Sequence, residues 1–171
     1  MLKQILITAL SLLIINFSTA QTSTSAVDHY NAGEKLKDAK KIIEAIEEYK
    51  KAISINPGYK AALYKIGWCF NDLEKYNDAI PYLKKAIQVD EKYVNAITEL
   101  GYSDYALQNY DDALVQFKKS IAIEKTELNL YYAGLCYVGK KQNTEALKMV
   151  NALTLMKSDY ADKLQKKIDD L

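Results

Sequence analysis

The chain contains no arginine and one histidine, His29. Bidentate guanidinium contacts are the usual means of reading phosphate and base edges, so their absence argues against a nucleic-acid or phosphate reader. A histidine–carboxylate relay would rest on His29 alone, which is read as a structural or surface residue. No Gly-rich phosphate loop, HExxH, CxxC or GxSxG occurs, and neighbouring acids such as Glu47/Glu48 and Asp111/Asp112 point to different helix faces. The sequence therefore offers no catalytic constellation. The expectation is a non-enzymatic protein with no metal, cofactor or small-molecule substrate. Neither sign of charge dominates: 23 basic groups face 22 acidic ones, interspersed without a polyanion-binding stripe.

Long apolar runs are also scarce. The exception is ILITALSLLIINF (5–17), preceded by MLK and followed by the small residues Ser18 and Ala20. That pattern predicts a secretory signal peptide over 1–20, cleaved between Ala20 and Gln21. Thirteen residues fall short of the roughly 20 needed to span a bilayer. The mature chain would hold 171 − 20 = 151 residues, exported to the periplasm or beyond, touching membrane only through its export signal. A short polar leader, 21–25, follows.

Repetition then dominates. IIEAIEEYKKAI (42–53) returns as YNDAIPYLKKAI (76–87) and YDDALVQFKKSI (110–121). Ala45, Ala79 and Ala113 keep a step of 34, as do Tyr49, Leu83 and Phe117, and Gly33, Gly67 and Gly101. Gly134 and Ala146 follow after 33. Self-similarity at this period means stacked repeats. Each unit holds two helical patterns: Leu63, Ile66, Gly67 and Phe70 share one face of the first, and Ile80, Leu83, Ala86 and Ile87 one face of the second. Neither face is buried alone, so each pair should fold antiparallel and stack on its neighbours. The glycine and alanine columns should lie where helices approach closely. Ser25 and Asp28 form a prospective capping box, INPGYK (55–60) a turn, and Asn77 a cap for the helix in which Pro81 would occupy the first turn. Cys69 and Cys136 occupy one column two units apart, with Ser103 between them. Stacking should hold them beyond the ~7 Å Cα limit for a disulfide, as buried thiols.

These residues resemble the tetratricopeptide repeat, whose pattern is matched by Leu63, Ile66, Gly67, Phe70, Ala79, Leu83 and Ala86. Ala32, Gly33, Leu36, Ala45, Tyr49, Ala52 and Pro57 match it in the first unit. Ile97, Leu100, Gly101, Ala113 and Phe117 match in the third, and Leu130, Ala133, Gly134, Tyr137, Ala146 and Val150 in the fourth. The resemblance implies an all-α, right-handed superhelical solenoid of antiparallel helix pairs. Its units would be 26–59, 60–93, 94–126 and 127–156. Over 157–171, Tyr160, Leu164, Ile168 and Leu171 form one stripe of a charged capping helix. Two departures stand out. Glu91 and Lys125 replace the turn proline, and Asp104 takes a position where the family packs an aromatic, a costly place for an unpaired carboxylate.

In that family the first helix of each unit lines a concave groove that binds peptides. The corresponding columns here are Tyr30, Glu34 and Lys37; Tyr64, Trp68 and Asn71; Thr98, Tyr102 and Tyr105; and Tyr131, Leu135 and Val138. Tyrosine and tryptophan are favoured binding anchors. The groove expected from the resemblance is therefore Tyr30, Tyr64, Trp68, Asn71, Tyr102, Tyr105 and Tyr131. Tyr30 and Glu34 replace the Lys and Asn of the subclass that clamps a terminal carboxylate, which excludes that subclass. The implied partner is a protein or peptide. The alternative is a structural subunit that self-associates through the convex face or the open ends of the stack.

Overall fold

A computed structural model describes residues 25–170, so the signal peptide, most of the leader and Leu171 lie outside the described residues. Among those residues there are nine helices and no strand. The helices are α1 (Ala26–Asp38), α2 (Ile42–Ile55), α3 (Lys60–Asp72), α4 (Tyr76–Val89), α5 (Val94–Ala106), α6 (Tyr110–Ile123), α7 (Glu127–Gly139), α8 (Asn143–Leu155) and α9 (Tyr160–Asp169). They pack as consecutive pairs, α1 with α2, α3 with α4, α5 with α6 and α7 with α8. Each second helix also packs on the first helix of the next pair. The last helix, α9, covers α7 and α8. The chain is thus an all-helical solenoid closed by a C-terminal helix.

The repeated columns form the core. Ala45, Ala79, Ala113 and Ala146 are fully buried, as are Tyr49, Leu83 and Phe117. A methyl group added at Gly33 would enter the Tyr49 ring, at Gly67 the Leu83 side chain, and at Gly101 the Phe117 ring. Hydrogen at those Cα positions lets each first helix press against the largest residue of its own second helix. The fourth pair differs. A methyl at Gly134 would meet Leu164 of α9, because Val150 is the smaller residue at the equivalent place in α8.

The junctions follow simple chemistry. Ser25 caps α1 through a capping box with Asp28, as expected. Asn56 Oδ1 accepts from the Gly58 N–H at 3.1 Å, which closes the INPGYK turn. In the next turn, where the proline is lost, Asp90 accepts from the Lys92 N–H at 3.1 Å and pairs with Lys60 at 2.6 Å. Asp90 thus repeats the turn bond that Asn56 makes in the first junction, so the turn keeps its closure without the proline. Asn77 does not cap α4. That helix starts at Tyr76 with Lys75 at its N-cap and no side-chain cap, so Asn77 lies within the first turn. Pro81 is correspondingly the sixth residue rather than part of the first turn. It removes one ladder donor, yet α4 runs on to Val89 because Ala79, Leu83 and Ala86 are buried on one face.

Cys69 and Cys136 are free, buried and in separate core clusters. Burial pushes both thiols up to about 12, so neither is a nucleophile near neutrality. Ser103, between them in the column, is buried and donates to Asn71 Oδ1 at 2.7 Å.

Candidate functional site

Successive first helices touch one another, α3 on α5 and α5 on α7, while the second helices make no comparable mutual contact among the described residues. The first helices therefore form the inner, concave side. Polar side chains tie them together. Asn71 on α3 donates to the Glu99 backbone oxygen at 3.1 Å and to Glu99 Oε2 at 2.8 Å. Thr98 on α5 donates to Asn129 Oδ1 on α7 at 2.9 Å, and Asn129 donates to Ser120 Oγ at 2.6 Å. Through the buried Asn71 and Asn129 these bonds fix the spacing of the inner surface, since leaving either amide unmet would cost about 1–3 kcal/mol.

A cavity of about 270 Å³ opens between these helices. Trp68, Asn71 and Asp72 line it from α3, Tyr76 from α4, Thr98, Glu99 and Tyr102 from α5, and Leu128 and Tyr132 from α7. Glu74, in the α3–α4 turn, completes the wall. A second cavity of about 310 Å³ adjoins it, sharing Thr98, Glu99 and Leu128 and adding Tyr64 and Asn129. The rings form a connected row: Tyr76 and Tyr102 are 6.0 Å apart edge-to-face, and Tyr102 and Tyr132 5.3 Å apart in the same manner.

Of the residues expected in the groove, Trp68, Asn71 and Tyr102 share the first cavity and Tyr64 lines the second. Asn71 is itself buried and contributes by holding Glu99. Tyr30, Tyr105 and Tyr131 line neither cavity. Tyr30 packs on Tyr59 at 5.2 Å and Tyr49 at 5.6 Å. Tyr105 packs on Tyr132 at 5.4 Å, and Tyr131 on Tyr160 of α9 at 4.7 Å.

Glu99, Tyr132 and Tyr76 were not among the expected residues. Glu99 and Tyr132 sit two positions before Gly101 and Gly134, in a column with Asn31 and Lys65. That column lies three residues before the one holding Trp68 and Tyr102, hence on the same helix face. The i, i+3 relation was available in the sequence. Tyr76 begins a second helix, and only the tertiary turn at Glu74 brings it inward.

Two inner-face carboxylates contrast. Burial alone would raise Glu34, but hydrogen bonds from Tyr49, Lys65 (3.0 Å) and Lys37 (3.1 Å) hold it below the usual carboxylate value. Burial raises Glu99, against which the Asn71 hydrogen bond is the sole opposing cause. Tyr102 is pushed up to about 12 by burial and then by Tyr76, so it stays a neutral hydrogen-bonding phenol. His29 lies away from the cavities, its Nδ1 2.7 Å from Glu48 Oε2. Among the described residues no cluster of three or more His, Cys, Asp or Glu has the arrangement to hold a metal, and no helix is long and apolar enough to cross a membrane.

Sequence models of the tetratricopeptide repeat match residues 29–59 and 61–93. No curated protein matches the chain in sequence. Solved structures do match its fold. A MamA protein superposes with a TM-score of 0.72 at 23% identity, covering 86% of this chain and 76% of its own. A MamA chain from Desulfovibrio magneticus RS-1 reaches 0.75 at 15% identity, covering 79% and 77%. The first tetratricopeptide domain of Spaghetti (RPAP3), bound to the HSP90 peptide SRMEEVD, reaches 0.61 at 20% identity, covering 77% and 95%.

Proposed function

Because this chain is a tetratricopeptide-repeat protein, we propose that it is a non-enzymatic adaptor whose inner face docks an extended segment of a partner protein. The observation that carries this reading is the cavity that gathers Trp68 and Tyr102 from adjacent first helices, with Tyr64 in the adjoining one. The RPAP3 domain of similar fold is a structure with a peptide bound, which supports a peptide-docking role for this fold here. Each buried aromatic anchor contributes roughly 1.5–3 kcal/mol. Association costs about 4–15 kcal/mol. Several anchors with polar contacts then suit binding near the micromolar range, about −8 kcal/mol.

Replacing Tyr64, Trp68 and Tyr102 together by Ala tests the reading. Partner or peptide capture should fall at least tenfold, while helicity stays within a few per cent of the parent protein. Undiminished capture by the triple variant would sink the proposal.

We also propose that the adaptor works after export, on the strength of the positive start, the apolar 5–17 run and the small residues at 18 and 20. Intact mass of the protein recovered from the cell envelope or medium should lack residues 1–20. Full-length mass in those fractions, or residence only in the cytoplasm, would refute export.

A further inference from the structure

The central cavity has a chemistry that narrows what docks there, and this step rests on the inner face being the docking surface. Its walls combine π faces with negative charge. Trp68, Tyr76, Tyr102 and Tyr132 reach it from four different helices. Aromatic faces carry the negative side of a quadrupole and attract a cation placed over them. Glu99 stands among the rings, with Asp72 and Glu74 also in the wall. None of the lining residues is a lysine, although the chain carries 23 basic groups.

The contrast with Glu34 sharpens the point. Glu34 is already saturated by two lysines and a tyrosine of its own chain. Glu99 accepts one side-chain hydrogen bond, from Asn71 on Oε2, and its Oε1 accepts none among the described residues. Burial disfavours its charge. A cation entering the cavity would supply the missing counter-charge in a setting partly screened from water, where such pairing is strongest. At about 270 Å³ the cavity falls below the roughly 300–1,000 Å³ of pockets that engulf a drug-sized ligand, so it suits one side chain.

We infer that this cavity receives a single basic side chain, arginine in preference to lysine, from the partner segment lying on the inner face. The guanidinium is planar, weakly hydrated and able both to stack on Trp68 and to donate a fork of hydrogen bonds to Glu99. Trp68 and the tyrosines supply the flat faces and Glu99 the charge. Asn71 positions Glu99 and touches no ligand itself. The chain has no arginine of its own to compete for the site.

The probe is N-acetyl-arginine N′-methylamide titrated into the full chain, with the uncharged citrulline analogue as control. The readout is the indole N–H resonance of Trp68, the chain's one tryptophan. The arginine probe should shift that resonance saturably, and the citrulline probe should bind at least tenfold more weakly. Glu99→Gln keeps an acceptor for Asn71; it should weaken arginine binding at least fivefold with unchanged circular dichroism and a Tm no lower than the parent's, since burial already disfavours the Glu99 charge. An indole that ignores the arginine probe, or answers both probes alike, overturns the inference. So does a Glu99→Gln protein that binds arginine as tightly as its parent. A selection of random displayed peptides on the immobilised chain separates this failure from failure of the docking surface. Trp68-dependent peptides without enrichment of a basic residue would overturn the basic-side-chain inference and leave the groove standing. If no selected peptide depends on Trp68 or Tyr102, both readings fall. Enrichment of arginine at one position, lost in Glu99→Gln, supports both.

Discussion

Asp104 occupies the position that Leu36, Phe70 and Tyr137 fill in the other helix pairs, and it is only 8% exposed. Burial first, and then the nearby Asp112 charge, raise its carboxyl to about 6, with Lys84 pulling the other way. The sign of its effect on stability follows. A carboxyl that holds its proton more tightly folded than unfolded favours the fold while protonated, and that advantage is lost as pH rises from about 4 through about 6. Asp104→Asn keeps the shape and removes the charge. It should stabilise the protein by roughly 1–3 kcal/mol at pH 8 and by almost nothing near pH 4. Thermal melts of both proteins across that range decide the matter. An equal gain at both pH values would mean that the charge is not the cause. From the sequence, Asp104 was visible as a carboxylate in an aromatic column, a place that is costly unless the charge is paired. Its surroundings were not legible, because the charges near it, Asp112 and Lys84, come from other helices.

At the scale of elements, each first helix ends in the same way without the residue that usually makes that ending easy. Lys40, Glu74, Gln108 and Lys141 have φ between 58° and 62°, and Lys157 after α8 has 56°. The bonds are those of a Schellman motif. At α5, for example, the Asn109 N–H reaches the Asp104 oxygen at 2.8 Å and the Gln108 N–H the Tyr105 oxygen at 2.9 Å. Left-handed backbone costs a residue with a Cβ about 1–2 kcal/mol, partly offset on glycine substitution by the greater freedom of glycine when unfolded. Gln108 is exposed and away from both cavities. Gln108→Gly should therefore stabilise by roughly 0.5–1 kcal/mol, raising Tm by about 1–4 °C for a chain of this size. A lower Tm would show that the side chain contributes more than the backbone strain removes. The helices themselves were legible in the period of 34, since the apolar faces repeat with it. The start of α4 was not. Asn77 looked like a cap on residue preference alone, whereas the turn closed by the Lys75 N–H on the Phe70 oxygen sets the helix start two residues earlier. The groove divides along the same line. Trp68 and Tyr102 were visible as an aromatic column, whereas the column three residues earlier, with Asn31, Lys65, Glu99 and Tyr132, mixes residue types and carries no such mark, and Tyr131, the residue expected from α7, packs on α9 instead.

On the scale of the whole molecule, the solenoid is a chain of nearest-neighbour interfaces, so its ends are its weak points. The C-terminal end is closed by α9 in a specific way. In the first three pairs a large residue of the second helix covers the glycine of the first, namely Tyr49, Leu83 and Phe117. In the fourth, Val150 leaves that place to Leu164, which is fully buried and packs with Leu130, Val150, Leu153 and Ala161. The capping helix thus completes the fourth pair as well as shielding it. Leu164→Ala should open a cavity over Gly134 and cost about 2–5 kcal/mol. Because coupling runs between neighbours, the loss should be local. Native-state hydrogen exchange should show lowered protection in α7, α8 and α9, with α1 to α4 nearly unaffected. A uniform loss along the whole chain would mean that the solenoid unfolds as one cooperative unit, and that α9 stabilises the docking surface at α3 and α5 as strongly as the end it covers. Local loss would instead leave the Trp68 and Tyr102 cavity intact on its α3 and α5 sides, with only the wall supplied by Leu128 and Tyr132 of α7 exposed to fraying.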